Sequence, residues 1–269
     1  MKFFLIWFGL CGQLLAQATA APDDFYLMPS KTSAERLKVG FHNGYSFPQS
    51  ESSTPIDKLK DVLVFSKTLN VEVTNLKDMG TSTEGEAKIA QKGNLVVTAC
   101  TIPSYVDLQA VDFEKYIRQE GLGHVLETPV DGGGAPVPLT KPVRERFSQY
   151  AKSLLLNDAS NDILQKPVGA ALEFIPEKNP AFLRRDERLP VRVLWNGKPA
   201  VGLQVEAAYT TGEFGESRII GRTDREGRVY VTLGKKGFWR LHTVAMERCR
   251  DPRAADFESS RATLTFEIR

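Results

Sequence analysis

Residues 263–268 read Thr-Leu-Thr-Phe-Glu-Ile, a strict alternation of polar and apolar side chains. Successive side chains of a β-strand point to opposite faces, so this pattern predicts a strand with one buried face. The same alternation recurs upstream, in residues 37–41, 191–194, 203–207 and 228–233. Turn-forming pairs separate these stretches, namely Asn43-Gly44, Asn196-Gly197, Glu226-Gly227 and Lys236-Gly237. Short strands broken by such turns predict a mainly β fold built from sandwiches.

Two segments depart from the β pattern and predict short helices. Residues 112–120 place Phe113, Tyr116 and Ile117 on one helical face, with Asp112 as the N-cap and Gly121 as the stop. The second predicted helix runs from about residue 142 to 156 and begins with Pro142, a residue suited to a first helical turn. Its apolar positions also fall at helical spacing, at Val143, Phe147, Tyr150, Ala151 and Leu154.

The chain is long enough for two ordinary domains. We expect a boundary near Gln165-Lys166-Pro167, which gives an N-terminal β-domain over residues 21–166 and a C-terminal domain over residues 167–269. The C-terminal part has the size and strand number of one immunoglobulin- or transthyretin-like sandwich. The two short helices are expected near the junction.

The first twenty residues have the layout of a secretory signal peptide. Lys2 precedes an apolar stretch, and small residues follow at Ala16, Ala18 and Ala20. We expect cleavage near Ala20 and a periplasmic or secreted mature protein. The apolar stretch is shorter than the roughly 20 residues that a membrane-spanning helix needs, and no transmembrane segment is expected in the mature chain.

Charge and cysteine content limit the classes of partner and scaffold. Lys and Arg number 35 and Asp and Glu 33, for a net charge of +2, so no concentrated basic face for nucleic acid is expected. Cys100 and Cys249 follow the signal peptide. Their pairing stays open at this stage, because a disulfide needs Cα atoms within about 7 Å.

Candidate chemistry is sparse along the chain. A divalent transition metal is the one cofactor considered; its candidate ligands are Asp23 and Asp24 together with one of His42 or His242. No His-x-x-His, Glu-x-x-His or Cys-x-x-Cys spacing supports that site, and a structural role is the competing interpretation of each histidine. Adjacent strand residues such as Asp23 and Asp24 point to opposite faces, which argues against a shared acid–base site. No Gly-x-Ser-x-Gly motif occurs, and no catalytic residue is assigned.

Several phrases resemble, in order and position, one family of bacterial exported proteins. They are residues 23–29 (Asp-Asp-Phe-Tyr-Leu-Met-Pro), 113–122, 144–152, 194–199, 223–228, 237–239, 256–259 and 262–266. Together they resemble the DUF4198 family, whose members are often labelled nickel-uptake (NikM-like) proteins. The resemblance implies a periplasmic or cell-surface location and two β-domains. It also implies histidines near the mature N-terminus and in a Val-His-Met, where this chain has Asp23 and Ala245.

The sequence thus predicts an exported, non-enzymatic binding or accessory protein linked to uptake of a metal ion or a small solute. The alternative is a cell-envelope structural or interaction module that acts through its C-terminal β-sandwich. A hydrolase is a third interpretation. The expected partner is a small solute or an envelope protein.

Overall fold

The computed structural model describes residues 22–33, 35–89, 92–127, 141–184, 187–213 and 215–269. The predicted signal peptide, residues 1–20, lies outside the described residues. The strands form three sheets, which are here called the N-terminal, central and C-terminal sheets.

The N-terminal sheet has four antiparallel strands in the order β1-β2-β6-β5. Their bounds are β1 Asp24–Lys31, β2 Arg36–Gly44, β5 Thr74–Asp78 and β6 Ser82–Lys88. Alternate apolar residues of β1 and β2, among them Phe25, Leu27, Val39 and Phe41, are buried in one core cluster. The expected period-2 strand at residues 37–41 therefore forms as predicted.

The central sheet has nine strands in the order β14-β13-β16-β17-β9-β7-β3-β4, with β8 also paired to β9. The first half supplies β3 Leu59–Phe65, β4 Asn70–Glu72, β7 Leu95–Thr101, β8 Ser104–Leu108 and β9 Val143–Leu155. The second half supplies β13 Gln204–Thr210, β14 Gly215–Arg222, β16 Gly237–Arg248 and β17 Phe257–Ile268. Strands β9 and β17 pair in parallel at the centre of this sheet, with Phe257 opposite Glu145 and Phe266 opposite Leu154.

The C-terminal sheet contains β10 Leu172–Pro176, β11 Arg188–Trp195, β12 Lys198–Pro199 and β15 Arg228–Thr232. Its buried residues, such as Phe174, Val191 and Val229, share one core cluster with Leu241 and Leu264 of the central sheet. This packing is sandwich-like. The prediction of a mainly β fold with two short helices is therefore confirmed.

The two helices are α1 Ala110–Gln119 and α2 His124–Glu127. Phe113, Tyr116 and Ile117 are the buried face of α1, as the apolar spacing predicts. Helix α1 begins two residues before the expected Asp112, and its N-cap is Gln109. Gly121 follows the helix with φ +68, a backbone conformation that L side chains rarely adopt, so glycine is favoured there.

The second predicted helix, about residues 142–156, is wrong. These residues form strand β9, paired on both sides in the central sheet. Both faces of β9 are covered. The polar residues Glu145 and Gln149 are buried on one face of the strand, and Lys152 is buried on the other. Hydrogen bonds inside the fold hold these polar residues in buried positions, and the apolar residues between them fall at a helical spacing.

The free edge of β1 lies against the central sheet. Thr263 Oγ1 donates to the Phe25 carbonyl at 2.6 Å, and Thr265 Oγ1 donates to the Leu27 carbonyl at 2.5 Å. Gln149 Nε2 donates to the Asp23 carbonyl at 2.6 Å. Side chains thus satisfy the carbonyls that an edge strand would otherwise expose.

The expected domain boundary at residues 166 and 167 lies between β9 and β10. The central sheet takes strands from both sides of that boundary, and the cluster containing Leu241 also contains Val96 and Leu154. The division into two domains stays a prediction.

Candidate functional site

Two of the four predicted metal ligands meet in a buried cluster of charges on the central sheet. His242 Nδ1 of β16 lies 2.9 Å from Asp24 Oδ1 of β1. On the other side of the ring, His242 Nε2 lies 3.2 Å from Glu120 Oε2, just after α1. The imidazole is thus held between two carboxylates from different elements, and its side chain is only 5% exposed.

Two arginines complete the charge balance around this imidazole. Arg240 is 2% exposed, pairs with Asp24, and extends Nη2 to Glu206 Oε1 at 2.6 Å. Arg261 of β17 approaches Glu120 Oε1 at 3.6 Å. Because Arg240, His242 and Arg261 all lie on the same face of neighbouring strands, a strand period of two brings them together.

A hydrogen-bonded chain continues from Arg261 into the sheet. Arg261 Nη1 donates to the Tyr116 hydroxyl at 2.7 Å, and that hydroxyl lies 3.2 Å from Glu145 Oε1. Ser259 Oγ also donates to Glu145. Helix α1 is therefore tied to β9 and β17 by polar contacts as well as by its apolar face. We call the residues joined by these contacts the charge cluster. They are Asp24, Tyr116, Glu120, Glu145, Glu206, Arg240, His242, Ser259 and Arg261.

The carboxyl end of α1 is positioned by capping contacts. Gln204 Nε2 donates to the Gln119 carbonyl at 2.6 Å, and Arg222 Nη2 donates to the Gly121 carbonyl at 2.9 Å. These donors satisfy carbonyls that the helix leaves unpaired, and cations near a helix C-terminus are electrostatically favourable. Glu120 is thereby fixed beside His242.

Burial and charge act against each other on the pKa values of the charge cluster. Burial raises the pKa of Asp24, but His242 and Arg240 overcome it and hold that pKa well below its usual range. Burial opposes the imidazolium of His242, but Asp24 and Glu120 outweigh it and raise the pKa to about 9. Burial raises the pKa of Glu145 above its ordinary value. At neutral pH His242 is thus a cation between two anions.

The pH dependence of stability follows from these shifts. The folded pKa of His242 is raised from 6.5, so its contribution is full below about pH 6.5 and is lost as pH rises through about 9. Asp24 and Glu120 have lowered pKa values, so their contributions are lost only under acid. We expect the free energy of unfolding to fall by about 3 kcal/mol between pH 6.5 and 9. Urea denaturation across this range measures it, and a flat profile would contradict the assignment of a buried imidazolium.

The charge cluster is not arranged as a metal centre. A histidine binds a metal through a ring nitrogen, and both ring nitrogens of His242 face carboxylates. The two guanidinium groups occupy the remaining carboxylate oxygens. Among the residues that the structure describes, no group of three or more His, Cys, Asp and Glu side chains is placed to hold a metal ion.

The other two predicted ligands point elsewhere. His42 stacks on Tyr26 with ring centroids 5.3 Å apart, and burial lowers its pKa. Asp23 lines a separate small pocket, because it alternates with Asp24 along the chain. The structure thus brings Asp24 and His242 together and leaves Asp23 and His42 apart from them. Cys100 and Cys249 are both free thiols.

Sequence reasoning missed Glu120, Glu145, Arg240 and Arg261. A signal for Arg240 is present in β16, where Arg240 and His242 alternate with the buried Trp239 and Leu241. Charged residues at alternate positions of an otherwise apolar strand indicate a second face that is buried and polar.

A larger concave feature lies on the opposite face of the central sheet. Thr98 and Cys100 of β7 and Tyr150 and Lys152 of β9 are part of its floor. The segment 168–173 forms one wall of this feature. The volume of the feature is about 500 Å³. We call this feature the groove. Its apolar lining includes Leu63, Phe65, Ile102, Pro103, Val168, Ala170 and Ala171.

A buried ion pair holds the wall of the groove against its floor. Lys152 Nζ lies 2.6 Å from Glu173 Oε2, and the two side chains are 5% and 3% exposed. The Glu173 carboxylate also accepts the backbone N–H groups of Val168 and Gly169, at 3.0 and 3.2 Å. Lys152 donates further to the Phe174 carbonyl at 2.9 Å. The wall is therefore fixed before any ligand arrives.

An irregularity in β3 shapes the rim of the groove. The register of β3 against β7 shifts between Lys60 and Leu63, and Asp61 has φ 51. This bulge places the Asp61 carboxylate 3.5 Å from Cys100 Sγ. Burial, together with Asp61, raises the pKa of the Cys100 thiol to about 11. Bulges of this kind re-aim side chains beside binding sites.

Fold and site together define a mainly β protein of three packed sheets with a buried charge cluster on one face and an open groove on the other. The chain belongs to the family described as a domain of unknown function, DUF4198, whose profile matches residues 20–247. No curated protein matches the chain significantly. None of the described helices has the length and apolar character to cross a membrane.

Proposed function

We propose that the chain is an exported, non-enzymatic binding protein for a small, largely apolar organic solute, and that the groove is its binding site. The observation that carries the proposal is the groove itself. At about 500 Å³ it lies within the range of roughly 300–1,000 Å³ that small-molecule sites occupy. It is concave, mostly apolar, and has polar groups only at defined points.

The construction of the groove supports binding of a ligand without rearrangement. Its floor consists of the adjacent strands β7 and β9, paired from Leu95–Leu155 to Cys100–Tyr150. Its wall is fixed by the Lys152–Glu173 pair. A preformed site loses less conformational entropy on binding than a mobile one. Phe65 and Tyr150 supply aromatic surface, and Thr98 supplies a hydroxyl for orientation.

The chemistry of the groove favours binding over catalysis. A thiol whose pKa is raised to about 11 stays protonated at neutral pH, and the thiolate is the nucleophilic form, so Cys100 is a poor nucleophile. The Lys152 ammonium is paired with Glu173, which leaves it unsuited to act as a base. A small organic solute rather than a metal ion is the proposed cargo, since the groove lining offers one thiol and no imidazole.

A groove-filling variant tests the proposal. Thr98→Trp places an indole over the floor, and the apolar fluorescent probe anilinonaphthalene sulfonate reports occupancy. We expect saturable one-to-one binding to the unaltered protein and an affinity at least about tenfold weaker in Thr98→Trp, equivalent to about 1.4 kcal/mol. Competition by a panel of aromatic and aliphatic alcohols and acids then ranks candidate solutes.

The matched control is Thr232→Trp, a threonine-to-tryptophan change at an exposed strand position of β15 away from the groove. It should leave probe affinity unchanged. Probe binding that is unsaturable, or equally strong in Thr98→Trp, would overturn the groove as the binding site. Thermal melting of both variants verifies that each is folded.

A further inference from the structure

A second, smaller pocket of different chemistry lies where β1 and β2 approach the ends of β7 and β9. Its volume is about 220 Å³. The residues that define its character are Asp23, Asn43, Lys58, Thr101, Phe147 and Gln149. We call it the polar pocket. It shares Thr101 with the groove but is otherwise lined by different residues.

The polar side chains of this pocket are held in place by one another. Asn43 Nδ2 donates to Thr54 Oγ1 at 2.6 Å. Gln149 uses its side-chain amide to bind the Asp23 carbonyl at 2.6 Å, and its backbone N–H donates to Thr101 Oγ1 at 3.2 Å. Thr54, Thr101 and Gln149 are 4%, 8% and 8% exposed. The pocket is therefore built from buried polar groups rather than from loose surface side chains.

Capacity for further hydrogen bonds remains in this arrangement. Asn43 and Gln149 take part in these bonds through their amide nitrogens, and the oxygen of a carboxamide is an acceptor with two lone pairs. The Asp23 carboxyl is half-buried and hydrogen-bonded to Tyr45; burial raises its pKa more than this bond lowers it, and a carboxylate can accept further bonds. Lys58 also lines the pocket, and the ammonium group of a lysine only donates. The pocket thus presents both acceptors and donors within a small volume.

One aromatic side chain supplies an apolar surface beside these groups. Phe147 of β9 is partly exposed and lines the pocket together with Gln149. A ligand suited to this combination has several hydroxyl groups, each able to donate and accept, and a C–H face that packs on an aromatic ring. A charged amino acid or a flat aromatic solute would leave most of the fixed polar groups without partners, which is costly.

We propose that the polar pocket is a binding site for one monosaccharide-sized polyhydroxylated ring. Asp23 and Gln149 accept hydrogen bonds from ring hydroxyls, Lys58 donates to them, and Phe147 packs against the ring face. This site is independent of the groove, so the failure of either proposal leaves the other standing. A free sugar and the terminal residue of an oligosaccharide present the same ring.

The test is calorimetric titration of the purified protein with glucose, galactose, mannose and N-acetylglucosamine, then with maltose and cellobiose. We expect saturable one-to-one binding of at least one of these sugars. Equal affinity for a monosaccharide and its disaccharide indicates a single-ring site, and tighter disaccharide binding indicates an oligosaccharide end as the source.

Two conservative variants assign the site. Asp23→Asn and Lys58→Met should each weaken sugar binding about tenfold or more, because a hydrogen bond to a charged group is lost. Asp57→Asn changes an exposed carboxylate on the neighbouring 3-10 turn and should leave the affinity unchanged. Thr98→Trp should also leave it unchanged. The absence of saturable binding to every sugar, or full affinity in Asp23→Asn and Lys58→Met with unaltered melting, would overturn the proposal.

Discussion

Replacing His242 by glutamine is expected to lower the free energy of unfolding by about 3–5 kcal/mol, as removal of one member of a buried ion pair does. In the native protein the imidazolium separates Asp24 Oδ1 from Glu120 Oε2, at 2.9 and 3.2 Å. Glutamine keeps approximate size and hydrogen-bonding capacity but removes the charge. The two carboxylates are then left buried with one cation fewer.

Equilibrium urea denaturation at pH 6 measures the effect. The control is Arg118→Gln, which removes a cation of α1 that is 75% exposed and 3.8 Å from Glu114, and which should cost less than about 0.5 kcal/mol. Adding Glu120→Gln to His242→Gln should restore part of the loss, since one of the stranded anions is removed. A His242→Gln variant as stable as the unaltered protein would contradict a buried, charged histidine.

The second large effect is expected at the wall of the groove. Lys152→Met should cost about 3 kcal/mol or more, because it leaves the Glu173 carboxylate buried without its counterion. Two backbone N–H groups, from Val168 and Gly169, still bind that carboxylate and limit the loss. Glu173→Gln alone should be destabilising for the complementary reason, a buried ammonium without a carboxylate.

A double-mutant cycle separates the pair from its surroundings. Lys152→Met combined with Glu173→Gln should be less destabilised than the sum of the single variants, with a coupling energy of about 1–3 kcal/mol. The matched control is Lys67→Met. Lys67 pairs with Asp162 at 3.0 Å, but the two side chains are 75% and 57% exposed, so its cost should stay below about 1 kcal/mol. Additive single effects at Lys152 and Glu173 would contradict a functional ion pair.

The parts of the fold that could be predicted are those where one face of a strand is apolar and the other polar. Strands β15 and β17 alternate polar and apolar residues, with Val229, Val231, Leu264 and Phe266 buried, although the polar face of β17 is buried as well. Strand β9 lacks a regular alternation, because buried polar residues interrupt its apolar positions; one of them, Lys152, has its partner in β10. A local pattern carries no information about such a distant partner.

The site was predictable to a similar extent. Asp24 and His242 were named together as candidates, and they are in contact. Their role as an ion pair depends on Glu120 and Arg240, which lie on other elements and bear no local motif. The groove has no sequence signature either, since it results from a face of β7 and β9 that the C-terminal sheet leaves partly open.

The parallel pairing of β9 with β17 has a consequence for how the chain folds. Residues 145 and 257 are neighbours in space, so the ladder closes a loop of more than a hundred residues, and such long-range contacts raise contact order and slow folding. Until β17 is available, β9 and β16 lack the strand that lies between them. A fragment cut at residue 247, the end of the family match, would omit that strand and expose two unpaired interior edges, which are templates for aggregation. Strand β17 is therefore the element that completes the central sheet, and it does so by joining β16 to β9.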